Sequence, residues 1–290
     1  TYGISSALTK NDYKRPGYKF LGWSRSKTAT TATYTDGESV SILTSTNKAT
    51  VTLYAVWDIN NLTFDNQTLE SGTYNVAYDQ SFTGASNGSG NYSYSVTGVT
   101  CNGTAVTASS GKYNGLALSG TRISGTPTLA GSYIFTIKAT DSTTGATASA
   151  TISITIAKVN NTATVNMSGY TYGGTKSNPS LSNNLSTGSV TYYYSATNTN
   201  SNGTAWSNVT SSTTLNAGTY YMFAIIAGDS NHNAQTTATK AFTISKATNP
   251  ATVTGKTLTY TGSAQTLASA SSAQGSIYYC VGTQLTSSNY

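Results

Sequence analysis

Thr151-Ile152-Ser153-Ile154-Thr155-Ile156 sets an isoleucine at every second position, with serine or threonine between them. A side-chain period of two belongs to a strand with one face on a core and the other toward water. The same period spreads outward from this stretch. Tyr133, Phe135, Ile137 and Ala139 repeat it upstream, Phe242 and Ile244 downstream, and near the start Val51, Leu53, Ala55 and Trp57 share a face. Asp36-Gly37, Asn87-Gly88, Asn102-Gly103, Asn114-Gly115 and Asn202-Gly203 punctuate the runs. Such pairs supply the positive φ that tight hairpin turns require. No window carries a capped helical stripe. The chain therefore reads as mainly β, in blocks of about 90–100 residues that suggest sandwiches.

Composition agrees. Only 8% of the 290 residues are charged, whereas Gly occurs 27 times and Tyr 22 times. Thr and Tyr suit pleated strands, Gly and Asn the turns between them. Four prolines exclude a Pro-rich linker. The net charge of +6 is dispersed, with +3 on residues 1–58, −1 on 59–157, +3 on 158–247 and +1 beyond. Lys14-Arg15, with Lys10 and Lys19 nearby, is the closest basic cluster. A nucleic-acid reader needs a denser stripe, so no nucleic-acid partner is expected. The charge allows weak attraction to anionic polymers, such as wall polymers or mucins, without establishing it. Cys101 and Cys280 fall in different blocks and read as small buried apolar residues rather than a disulfide. No apolar run reaches membrane-spanning length, so no membrane insertion is expected within these residues.

An internal repeat supports a tandem array. Ala163-Thr164-Val165 recurs as Ala251-Thr252-Val253, and Tyr172 with Gly174 recurs as Tyr260 with Gly262, each 88 residues on. After a one-residue deletion, Gly188-Ser189-Val190 matches Gly275-Ser276-Ile277 and Tyr192 matches Tyr279. Terminal strands ending near Trp57, Ile156 and Ile244 divide the chain into 1–58, 59–157, 158–247 and a truncated 248–290. The junctions lack Gly/Ser linkers, which favours an elongated, semi-rigid array.

Residues 1–58 resemble the Listeria–Bacteroides repeat, related to the internalin B-repeat, through Arg15-Pro16-Gly17-Tyr18-Lys19-Phe20-Leu21-Gly22-Trp23, Tyr34, Asp36-Gly37 and Thr52-Leu53-Tyr54-Ala55-Val56-Trp57. The family's first strand is missing. The resemblance implies a small β-grasp-like module on a bacterial surface. Residues 59–157 resemble a bacterial cadherin-like Ig family through Gly115-Leu116-Ala117-Leu118, Ile123-Ser124-Gly125-Thr126-Pro127, Ala130-Gly131-Ser132-Tyr133-Ile134-Phe135 and Ala139-Thr140-Asp141. Residues 158–247 resemble MBG-type Ig-like repeats through Tyr170-Thr171-Tyr172-Gly173-Gly174, Asn178-Pro179 and Asn216-Ala217-Gly218-Thr219-Tyr220-Tyr221. Together these resemblances imply tandem Ig-like β-sandwiches, following the small module, in an extracellular array on the bacterial cell surface or wall.

The chemistry-bearing residues are sparse. His232 lies in Asp229-Ser230-Asn231-His232-Asn233, which reads as a solvated loop without a nucleophile elbow. The acids are scattered: Asp36 and Glu38 share a strand face but read as solvated turn residues rather than a glycosidase pair. Asp58, Asp65 and Asp141 make calcium a secondary expectation, with no cofactor and no metal site the primary one. A Lys–Asn crosslink is not favoured, because Lys138 points away from the apolar face of its strand. Trp23, Trp57 and Trp206 read as core. Alternation in Tyr192-Tyr193-Tyr194 and Tyr220-Tyr221 turns Tyr193 and Tyr221 outward, where they could form a glycan platform. The expected function is a non-catalytic stalk or adhesin segment of a secreted bacterial surface protein. The alternatives are a glycan-binding module using Tyr193 and Tyr221, or an accessory region of a large secreted carbohydrate-active enzyme. Partners would be host or environmental glycans or surface proteins.

Overall fold

The computed structural model describes residues 4–46, 48–210, 214–248, 252–266 and 268–271. Cys280 and the repeat residues Ala251, Gly275-Ser276-Ile277 and Tyr279 lie outside them. The chain is mainly β. Among the described residues the one helical element is a single 3₁₀ turn, Trp206–Asn208. They divide into two compact units, one within 1–160 together with 228–233, the other within 161–227 and 234–290.

The first unit opens with two small antiparallel ribbons, Ser6–Ala7 with Ser39–Val40 and Tyr18–Ser24 with Tyr54–Ile59. Pairing in the second ribbon shifts between Phe20 and Gly22. Gly22 has φ +137°, and a Cβ there would sit 2.3 Å from the Tyr34 carbonyl oxygen, so the bulge needs glycine. Here the strand face expected from Val51, Leu53, Ala55 and Trp57 is corrected. The strand begins at Tyr54, Val56 is the buried residue and Ala55 is exposed. Trp23 and Trp57 are half-buried rather than core. A two-stranded ribbon gives each ring a neighbour on one side and little to cover the other.

Behind these ribbons, Tyr78–Ser81, Leu116–Ser119 and Arg122–Gly125 form one sheet. Gln67–Thr68, Gly72–Thr73, Tyr92–Cys101, Thr104–Ala105, Gly131–Asp141 and Thr147–Ala157 form the other. The alternation at Ile152, Ile154 and Ile156 is met residue by residue. Tyr133, Phe135, Ile137 and Ala139 are buried, as are Ala150, Ile152, Ile154 and Ile156. Together with Val99, Cys101, Leu116 and Ile123 they make one core. Each large member contributes about 1.5–3 kcal/mol by leaving water. Asn102 and Gly103, at φ 50° and 79°, join Cys101 to Thr104 in the two-residue turn that the dipeptide predicts.

The second unit repeats the plan with a smaller core. Val190–Ser195, Thr204–Ala205, Gly218–Ile226, Gln235–Thr236, Lys240–Ser245 and Tyr170–Thr171 form its large sheet, and Thr164–Asn166 pairs with Ser180–Ser182. Met222, Ala224, Ile226, Phe242, Ile244 and Trp206 fill the interior. The repeat read from sequence has a structural echo: Thr252–Gly255 pairs with Ala268–Ser271, strands that begin 88 residues after those at Thr164 and Ser180.

Both sandwiches share one departure from antiparallel pairing. In the first, Gln67 and Thr68 pair in parallel with Ile152 and Ser153, and Gly72 and Thr73 with Ile156 and Ala157. In the second, Tyr170 and Thr171 pair in parallel with Ile244 and Ser245. An early strand of each sandwich therefore runs alongside its last.

Candidate functional site

The outward face of the second unit's large sheet carries Tyr193 and Tyr221. Tyr193 pairs across strands with Phe223, and Ser195 with Tyr221, so both tyrosines lie on one face around Phe223. That face is not an open platform. Phe223 is only 1% exposed although it points away from the core side marked by Met222 and Ala224. The Tyr193 ring stacks on it, with centroids 5.5 Å apart and planes 17° from parallel. The loop after Ser195 folds over the same region. Asn200 Nδ2 donates to the Thr237 carbonyl at 3.1 Å, and Thr239 Oγ1 donates to Asn198 Oδ1. Gly203 closes the loop where a Cβ would stand 2.6 Å from Phe223 Cε1 and 3.0 Å from Tyr193 Cβ. The two tyrosines expected to stand exposed are half-buried. Stacking on Phe223 takes up one face of the Tyr193 ring.

On the opposite face, Tyr194 and Phe242 meet Trp206 edge-on, at 5.9 Å and 5.7 Å. Trp206 is core, as its residue type predicts. Lys176 places its ammonium 4.8 Å over the indole and donates to the carbonyl oxygens of Trp206 and Val209, closing the 3₁₀ turn. The indole Nε1 is buried with no hydrogen-bond acceptor among the described residues.

His232 belongs to the first unit. The solvated loop histidine expected from sequence is corrected: its side chain is 13% exposed. Nδ1 lies 3.0 Å from both Asp229 carboxylate oxygens, and the ring meets Tyr74 edge-on at 5.6 Å. Asp229 Oδ1 also accepts the backbone N–H groups of Asn231 and His232 at 2.8 and 2.7 Å. Carboxylate and imidazole thus come from a single turn, and the carboxylate's contacts fold that turn.

Other acids are similarly occupied. Asp36 accepts the Asn11 N–H at 2.9 Å and Trp23 Nε1 at 3.4 Å, while Glu38 accepts the Thr35 N–H at 2.6 Å. Asp58 accepts the N–H of Ile59 at 2.9 Å. Asp141 is fully buried. It accepts Ser89 Oγ at 2.7 Å and the N–H groups of Ser89, Thr143 and Thr144. Burial alone would raise its pKa, but these hydrogen bonds outweigh it and hold the carboxyl well below the usual carboxylate range. Among the described residues no three His, Cys, Asp or Glu side chains gather as metal ligands. Sequence reasoning missed the role of Asp141 as the clamp between two loops. Its local signal was the Asp-Ser-Thr-Thr that follows a strand, an Asx-turn pattern. The partner loop around Ser89 carried the turn signal Asn87-Gly88 but nothing that pairs it with Asp141.

No family model matches the chain. No curated protein matches it either. Solved structures with some likeness include the N-terminal four Ig domains of Dscam1 isoform 9.44, at 12% identity and TM-score 0.31, covering 64% of this chain and 45% of that one. Extracellular cadherin domains 1–4 of protocadherin gamma B7 give 12% identity and TM-score 0.31, covering 67% and 53%. An endo-fucoidan hydrolase of glycoside hydrolase family 107 gives 14% and 0.27, covering 84% and 39%. This chain thus spans about half the length of the first two. Likenesses of this size assign no function.

Proposed function

We propose that the chain is a non-catalytic stalk or adhesin segment of a secreted bacterial surface protein, built to transmit tension. The observation that carries this reading is the parallel pairing of an early strand with the last in both sandwiches. When a sandwich is pulled from its two ends, strands joined in this way slide past each other and load several hydrogen bonds at once. An antiparallel hairpin pulled from its open end releases its bonds one at a time. In the first sandwich the Leu69 N–H to Ser153 carbonyl bond and the Tyr74 N–H to Ala157 carbonyl bond, each 2.9 Å, extend the sheared set. In the second the Tyr172 N–H to Ser245 carbonyl bond, at 2.8 Å, does so.

The use of polar groups supports the same reading. Asp141 and Asp229 serve turns, and Lys176 closes one. The surface location is what the sequence resemblances imply, and it is tested on cells. Antibodies raised against these residues are expected to label intact bacteria that carry the gene, and protease treatment of whole cells should remove the signal. Labelling only after the cells are broken open would refute the proposal.

A further inference from the structure

The first unit holds a groove of about 420 Å³ that the stalk reading does not use. Its floor is aromatic. Phe20 and Trp57 pair across the ribbon with ring centroids 5.2 Å apart, both half-buried, and Tyr18 lies on the same strand as Phe20. Its rim is basic and aromatic, with Tyr13 81% exposed and Lys14 and Arg15 beside it. Gly88 and Ser89 of the following sandwich also line the groove.

These groups are held in place. Arg15-Pro16-Gly17-Tyr18 closes with a 3.0 Å bond from the Tyr18 N–H to the Arg15 carbonyl, and Gly17 has φ +79°. Pro second and Gly third is the pattern of a type II turn. The turn sets the Arg15 guanidinium 3.6 Å above the Tyr18 ring, which orients the cation, and no ion pair to it is formed among the described residues. The Gly17 carbonyl accepts the Asn60 N–H at 2.9 Å, fixing the turn to the chain that enters the sandwich. A Cβ on Gly17 would meet Thr144 Cγ2 at 2.2 Å, so the turn is packed against the loop that Asp141 organises. Asp141 also holds Ser89, another residue of the groove's lining.

We infer that this groove binds an anionic saccharide. Aromatic faces cover the C–H faces of a pyranose ring, and tyrosine adds a polar tip that stays in water. Lys14 and Arg15 supply charge for a carboxylate or sulfate on the sugar, Arg15 through its fork of donors. The volume lies within the range of small-ligand clefts, about 300–1,000 Å³. The weak basic cluster at Lys14-Arg15 acquires a purpose here that charge counting could not give it.

The test is calorimetric titration of the whole chain with oligogalacturonate, a sulfated galactan oligosaccharide and the matching neutral galactan oligosaccharide. Heat with either acidic probe and none with the neutral one is the expected result, and the two acidic probes separate carboxylate from sulfate. Tyr13→Ala and Lys14→Gln, both at exposed positions, should each weaken binding about tenfold, about 1.4 kcal/mol. Lys27→Gln, an exposed cation outside the groove, should leave it unchanged. Three results would overturn the inference: no heat with either acidic probe, equal binding of the neutral probe, or a loss in Lys27→Gln as large as in Lys14→Gln. Neither variant touches the strands on which the tension argument rests, so binding and mechanics can fail separately.

Discussion

The first ribbons and the sandwich behind them are written in the same alternating script, yet only one builds a core. In the sandwich, Tyr133, Phe135, Ile137, Ile152, Ile154 and Ile156 are at most 2% exposed, because a second sheet closes over them. In the ribbons, Phe20, Trp23, Trp57 and Tyr18 stop half-covered, and Val56 is the one large apolar side chain there that is buried. Periodicity tells which side chains share a face. Whether another layer covers that face depends on strand number, and two strands cannot supply one. Residual aromatic exposure is then available for binding.

Core truncation should give the largest difference between the two regions. Phe135→Ala is expected to cost about 3–5 kcal/mol, since the ring is wholly enclosed. Phe20→Ala should cost roughly half as much, because solvent already reaches its ring. Denaturant titration followed by circular dichroism checks both. Equal losses would mean that the ribbons have a sealed core after all.

Gly203→Ala probes the roofed aromatic face of the second unit. The new methyl must displace the Phe223 ring or the Tyr193 Cβ, at a cost of about 1–3 kcal/mol. An unchanged melting temperature would show that the loop is not seated there, and would reopen that face to ligands.

Asp141→Asn should lower the melting temperature by a few degrees at neutral pH and flatten its acid dependence. The sign follows from the depressed pKa. The folded state binds its proton less readily than the unfolded chain, so the stabilisation is fully present above the ordinary carboxylate value, about 4, and is lost as pH falls below it. Parallel melting curves against pH for variant and parent would contradict the clamp. The smallest effect is expected for Arg122→Ala. Its ion pair with Asp79 joins two side chains that are each about half exposed, 55% and 54%, and its removal should leave the melting temperature within error.

The legible part of this molecule was the part governed by local rules. Alternation marked the inward faces of both long strands, and Asn-Gly pairs marked hairpin turns such as Asn102-Gly103. The illegible part depended on contacts distant in sequence. Asp141 and Ser89 are brought together by strand pairing that no local pattern encodes. The half-burial of Tyr193 owes much to Phe223 on the next strand and to the loop seated at Gly203, neither of which alternation encodes. His232 read as solvated because five polar residues in a row look like an open loop; Tyr74, far upstream, shields it.

The parallel strand pairs should bear load, and pulling the chain by its ends in a single-molecule instrument measures whether they do. Each sandwich is expected to rupture in a distinct high-force event. Tyr172→Pro, which removes the donor to the Ser245 carbonyl, should lower the force of the second sandwich alone. Rupture at the low force of an unzipping hairpin, or a Tyr172→Pro trace identical to the parent, would contradict the account.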